Sequence, residues 1–211
     1  MWTLDSDNVS LSLAQKLLVQ PYPALPAAPQ KGTTQLISTG DARLVNAVYF
    51  NESGLWTVQT AACPNQPGRS CFKWYQLNPV AGTVIQDSYF GYSVDFVYAP
   101  AVVANRNGDA VFVFNASSSN HYVDVDFVGR AAGDAANTLQ SPGFQLKAGR
   151  DIYTRGAPAS HSAADLDPTN DNRFWVYGAY AFGNASGRNA TCGGGAVNHD
   201  WATWVGAVSF K

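Results

Sequence analysis

The chain predicts an all-β protein: a partial β-propeller of about three four-stranded blades plus a stray outer strand, with a β-sandwich as the alternative. Three observations carry this reading. Segments starting at Ala47, Ala101 and Ala163 repeat one pattern, a small-residue strand, a turn built on Asn, Asp or Gly, and an aromatic or β-branched strand. They start 54 and then 62 residues apart, an interval that suits multi-stranded repeat units. Aromatic residues make up 13% of the 211 residues, with 19 Gly and 11 Pro, a mixture of pleated-surface and turn residues. Only 13% of the chain is charged, so few positions suit fully solvated helices.

The elements follow in order. Asn8–Val19 alternates and then turns apolar, and is expected to be the outer strand of an incomplete blade (1–19), a short helix being the weaker alternative. Four prolines between Gln20 and Pro29 exclude helix and central strand, leaving an extended connector (20–35). Blade 1 (36–92) pairs Leu44–Phe50 with Leu55–Ala61 around Asn51-Glu-Ser-Gly54, then adds Phe72–Leu77 and Thr83–Gln86. Blade 2 (93–148) repeats this with Ala101–Ala104 and Ala110–Asn115 around Asn105-Arg-Asn-Gly-Asp109, a hairpin signal. Tyr122–Val128 alternates strictly, so Asp124 and Asp126 are expected on a solvated edge, and a fourth strand is placed near Phe144–Leu146. Blade 3 (149–211) joins Ser162–Leu166 to Arg173–Tyr177 and closes on Trp201–Phe210 after a Gly/Asn-rich loop.

Composition bounds the partners. A net charge of −2 offers no basic footprint for nucleic acid, and no apolar run reaches the length of a membrane span. Cys63 and Cys71 bracket a short loop between two expected strands and are read as a disulfide, as in secreted chains, with two free thiols as the alternative. Cys192 has no evident partner. Met1–Asp7 has neither the basic start nor the apolar core of a signal peptide, so a secreted location implies a leader on a preceding segment. Asn-x-Ser/Thr sequons occur at Asn8, Asn51, Asn115, Asn184 and Asn189.

From Pro26 to Phe210 the chain resembles the C-terminal half of a group of secreted bacterial β-propellers of the sialidase-like, BNR-like type. The resemblance rests on Ala28-Pro-Gln-Lys-Gly32, Thr39–Ala47, Gly54-Leu-Trp56, Lys73-Trp-Tyr75, Tyr98-Ala-Pro-Ala101, Gly149–Tyr153, Asp167-Pro168, Phe174-Trp175 and Trp201–Gly206. Asn51–Trp56 and Asp171–Trp175 look like degenerate Asp-boxes, which brace blade hairpins and carry no chemistry. The relatives' Arg-Trp-Gly-Asp-Tyr-Ser motif is replaced here by Arg155–Ser162, so their site is not carried over. A sialidase arginine triad is not present either.

Asp41 and Arg43 precede an inner strand and would face the mouth of a propeller, where the Arg fork can hold an anionic group; an internal Asp41–Arg43 pair is the competing role. His161 and Asp165 hold the corresponding place in blade 3. Asp165, Asp167, Asn170 and Asp171 supply hard oxygens within one turn and form a weak Ca²⁺ candidate without EF-hand order; otherwise no cofactor is expected. His121, His161 and His199 have no zinc spacing. The expected function is an extracellular module binding a glycan or a protein. One alternative is a sialidase-like hydrolase or lyase, requiring Asp41 and Asp165 within about 10 Å. Another is a piece of a larger propeller that self-associates through its open edges.

Overall fold

The computed structural model describes residues 2–5, 10–13, 19, 24–40, 42–44, 49–154, 162–183 and 199–210. All regular structure among them is antiparallel β. A hairpin of β1 (Trp2–Asp5) and β2 (Ser10–Leu13) is followed by three sheets whose strands lie in chain order. The first holds β3 (Tyr49–Asn51), β4 (Gly54–Ala62), β5 (Ser70–Asn78) and β6 (Thr83–Phe90). The second holds β7 (Phe96–Ala104), β8 (Ala110–Ser118), β9 (His121–Arg130) and β10 (Phe144–Lys147). The third holds β11 (Ala163–Asp167), β12 (Asn170–Gly183) and β13 (His199–Ser209). Between the sheets, β7 lies mainly against β4 and β5 of the first sheet and against β11 of the third.

The sequence explains this stacking through side-chain alternation. In Val111-Phe112-Val113-Phe114 of β8 the phenylalanines face the first sheet and the valines face the third. Toward the first sheet, Phe112 and Phe114 meet Phe72 at 5.4 and 5.3 Å between ring centroids, with Trp56 and Trp74 stacked 6.0 Å apart beyond. Toward the third, Val103, Val111, Val113 and Val125 pack on Phe174, Val176 and Tyr180. The second sheet is therefore buried on both faces, and truncating Phe112 would leave a cavity costing about 3–5 kcal/mol. A smaller cluster seats Ala28 and Ile37 of the connector against Tyr98, Val123 and Tyr153. The connector itself forms one bridge, Ala28 to Ile37.

The three repeat turns are built alike. Asn51 Oδ1 accepts from the Ser53 amide (2.8 Å), Asn105 Oδ1 from the Asn107 and Asp109 amides, and Asp167 Oδ1 from the Thr169 amide and hydroxyl. Two of them also reach the next sheet: Asn51 Nδ2 donates to the Ala104 carbonyl (2.8 Å), and Asn105 Nδ2 to that of Asp171 (3.3 Å). At the first turn the Trp56 indole donates to Ser53 Oγ (2.9 Å). At the third turn the brace centres on Asp167, which accepts from the Trp175 indole at 3.1 Å, and not on Asp171.

Several expectations change. β2 is one arm of a hairpin with β1 rather than a lone outer strand; residues 14–18, the rest of that expected strand, lie outside the described residues. The third sheet has three strands among the described residues, and β12 is far longer than the expected Arg173–Tyr177. β9 is an internal strand between β8 and β10, so its alternation separates two buried faces. Asp124 and Asp126 are accordingly 6% and 7% exposed rather than solvated.

Candidate functional site

The link from β6 to β7 and the turn from β8 to β9 enclose a cleft of about 370 Å³. One wall is Tyr92 to Asp95, the other Ser118, Asn120 and His121. The link is fixed at its start by the expected disulfide: Cys63 and Cys71, joined with Cα atoms 5.1 Å apart, tie the end of β4 to β5 and lie against Gly91. A Cβ at Gly91 would sit 2.3 Å from Cys71 Sγ, so only glycine lets the link pass there. Tyr92 then turns inward onto Phe90 and Phe114. Its hydroxyl occupies space that a side chain at Gly143 would fill, 2.5 Å from the ideal Cβ position.

Behind the wall, the Tyr92 hydroxyl donates to Asp126 Oδ2 at 2.9 Å, while Asp126 Oδ1 is buried without a partner. Two residues along the same face, Asp124 accepts from the Gly149 amide (2.6 Å) and from Gln145 Nε2 (2.9 Å). Asp95, at the lip, has His121 Nδ1 3.3 Å from its Oδ1. Burial pushes the Asp126 carboxyl up to about 7; the Tyr92 hydroxyl opposes this, and the charges of Asp124 and Asp95 add to it. Burial also raises Asp124, against its hydrogen bonds from Gly149 and Gln145. The Tyr92 hydroxyl is driven well above the ordinary phenol range by burial and then by Asp126. The cleft thus combines one aromatic ring, hydroxyl, amide and imidazole groups with the Asp95 carboxylate, and Asp124 and Asp126 lie buried behind Tyr92.

The expected site residues fall elsewhere. Asp41 and His161 lie outside the described residues. Arg43 is exposed, and Asp165 is exposed on β11 with its Oδ1 accepting from the Leu166 amide. The calcium candidates are each occupied locally. Asp165 is engaged as above, Asp167 serves Thr169 and Trp175, Asn170 Oδ1 accepts from the Asn172 amide, and Asp171 pairs with Arg106. The Thr169 hydrogen bonds hold the Asp167 carboxyl down to about 2. Among the described residues no group of three or more His, Cys, Asp or Glu side chains is arranged to hold a metal.

Tyr92 and Asp95 escaped the sequence reading, and Asp124 and Asp126 were expected on a solvated edge rather than behind a cleft. One signal was present: the repeat interval of 54 residues carries Asp41, expected before an inner strand, onto Asp95. Two sequons are also spoken for. Asn115 is fully buried with Nδ2 donating to Asp124 and Ala179 carbonyls, and Asn51 Nδ2 is bound to Ala104. Among the described residues no helix is long and apolar enough to cross a membrane. The chain matches no family model, no curated protein and no solved structure.

Proposed function

We propose that this chain is a secreted, non-catalytic β-propeller module that binds a glycan through the cleft between the β6–β7 link and the β8–β9 turn. The observation that carries the reading is the cleft's lining: Tyr92 offers a ring face, and Asp95, Ser118, Asn120 and His121 offer acceptors and donors for hydroxyl groups. Meander sheets packed face to face in chain order support the propeller architecture, and the Cys63–Cys71 disulfide supports an oxidising compartment. Hydrolysis has weaker support. Asp126 is the carboxyl with the raised pKa that a general acid needs, yet its Oδ1 is buried and its Oδ2 is held by Tyr92. Self-association has a separate surface to work with, the outer face of the third sheet, where Trp175, Trp201 and Val205 are exposed.

The test is a glycan array and calorimetry on the folded chain, with Asp95→Asn and Asn120→Ala as variants. At least one glycan class should bind, and each variant should weaken it about tenfold. Binding that neither variant alters, or no binding across broad glycan classes, overturns the reading.

A further inference from the structure

We infer that the cleft selects a protonated primary amine, so that its glycan is one bearing free amino groups; this deepens the glycan reading and rests on it. The charge inventory around the cleft is one-sided. Asp95 forms part of the wall, Asp126 lies directly behind Tyr92, and Asp124 follows on the same face of β9. Among the described residues Lys73 pairs with Asp87, Arg106 with Asp171 and Arg173 with Asp167, and Lys31, whose amide donates to the His121 carbonyl, lays its ammonium over the Tyr122 ring rather than on these three carboxylates. The neighbouring base is His121, more than half exposed and 3.3 Å from Asp95.

The hydrogen-bond inventory points the same way. Asp124 has donors on both oxygens, but Asp126 has one on Oδ2 alone, although only 7% of the residue is exposed. Asp95 Oδ1 has only the imidazole beside it. The acceptor on the cleft wall is therefore Asp95, while Asp124 and Asp126, buried behind Tyr92, act on a ligand through their field alone. An ammonium group brings three donors and no acceptor, and supplies the charge opposite to that of Asp95. The half-buried ring of Tyr92 offers a face that attracts cations as well. An anionic sugar would meet repulsion from the same groups, and a neutral one would leave it unrelieved. Ser118 and Asn120 on the opposite lip remain available to hydroxyl groups of the rest of the ligand.

The experiment titrates the full chain with a glucosamine oligomer, with its fully N-acetylated counterpart of equal length, and with a simple alkyl diamine, following amide chemical shifts and heat. The free-amine oligomer is expected to bind at least about tenfold more tightly than the acetylated one. Asp95→Asn, and Ser93→Lys on the exposed lip, should each remove that preference without lowering the melting temperature. If the acetylated oligomer binds as well or better, amine selection is overturned while glycan binding stands. If the diamine matches the amino-oligomer and shifts the same cleft amides, amine selection stands and the glycan reading falls. If none of the three shifts the cleft amides, both fall.

Discussion

Gly91 lies against Cys71 so closely that a methyl group in place of its hydrogen would come within 2.3 Å of the sulfur. The disulfide and the cleft wall are thus in mechanical contact. Gly91→Ala should destabilise the chain by about 1–3 kcal/mol, as overpacking does. The same substitution in a Cys63→Ala/Cys71→Ala background should cost clearly less, because the sulfur it strikes is gone. Urea unfolding of the four proteins measures the coupling, and equal costs in both backgrounds would refute the contact.

Asp126 makes stability depend on pH in a direction opposite to most carboxylates. Its folded value of about 7 lies above that of an unfolded aspartate, about 3.9. Between those values the folded chain keeps a proton that the unfolded chain has released, so stability falls as pH rises through that window. Asp124, also raised, adds to the same slope at its lower end. Asp126→Asn keeps an acceptor for Tyr92 and removes the charge. It should leave stability near pH 4 almost unchanged and increase it at pH 8 by up to about 4 kcal/mol. Denaturation midpoints across the pH range test this, and a wild-type curve that rises from pH 4 to 7 contradicts it.

Lys73 is a fully buried cation on β5, 2.8 Å from Asp87 and within 4.8 and 5.3 Å of the Tyr89 and Tyr75 ring centroids. Asp87→Asn removes the ion partner and should cost about 3–5 kcal/mol. Adding Lys73→Met should recover most of that loss, since an apolar side chain needs no counter-charge. Thermal unfolding of single and double variants decides between this and simple additivity.

The amides of Asn51 and Asn105 stitch one sheet to the next. Asn51→Asp replaces the donor to Ala104 by an acceptor and should cost about 1–3 kcal/mol. Asn105→Asp should cost more, because its Nδ2 also donates to Asp109 Oδ2 at 2.8 Å and the new carboxylate would face that charge. Chemical denaturation of the two variants beside the wild type reads the difference.

How much of this was visible in the chain depended on whether a feature was local. Turn chemistry is local: Asn51, Asn105 and Asp167 sit at equal places in the repeat, and all three nucleate the hairpins expected there. The Cys63–Cys71 bridge is local too, closing a loop between paired strands. Asp124 and Asp126 show where locality fails. An apolar–acidic alternation has the same period whether the acidic face meets water or another sheet. Only the docking of Tyr92 from the β6–β7 link, over Gly143, turns that face into an interior. The cleft likewise needs two segments far apart in sequence, the β6–β7 link and the β8–β9 turn, to be brought opposite each other.

The three turns also give the stack a polarity. A side-chain amide has hydrogens to lend to a neighbour, whereas the carboxylate of Asp167 has none and spends its oxygens on Thr169 and Trp175 within its own hairpin. Coupling of this kind therefore passes from the first sheet to the second and from the second to the third, and is not handed on by Asp167. For anyone lengthening the array, the unit to copy is the second sheet, which both receives and offers such a bond; a unit added after the third would first need Asp167 converted to asparagine.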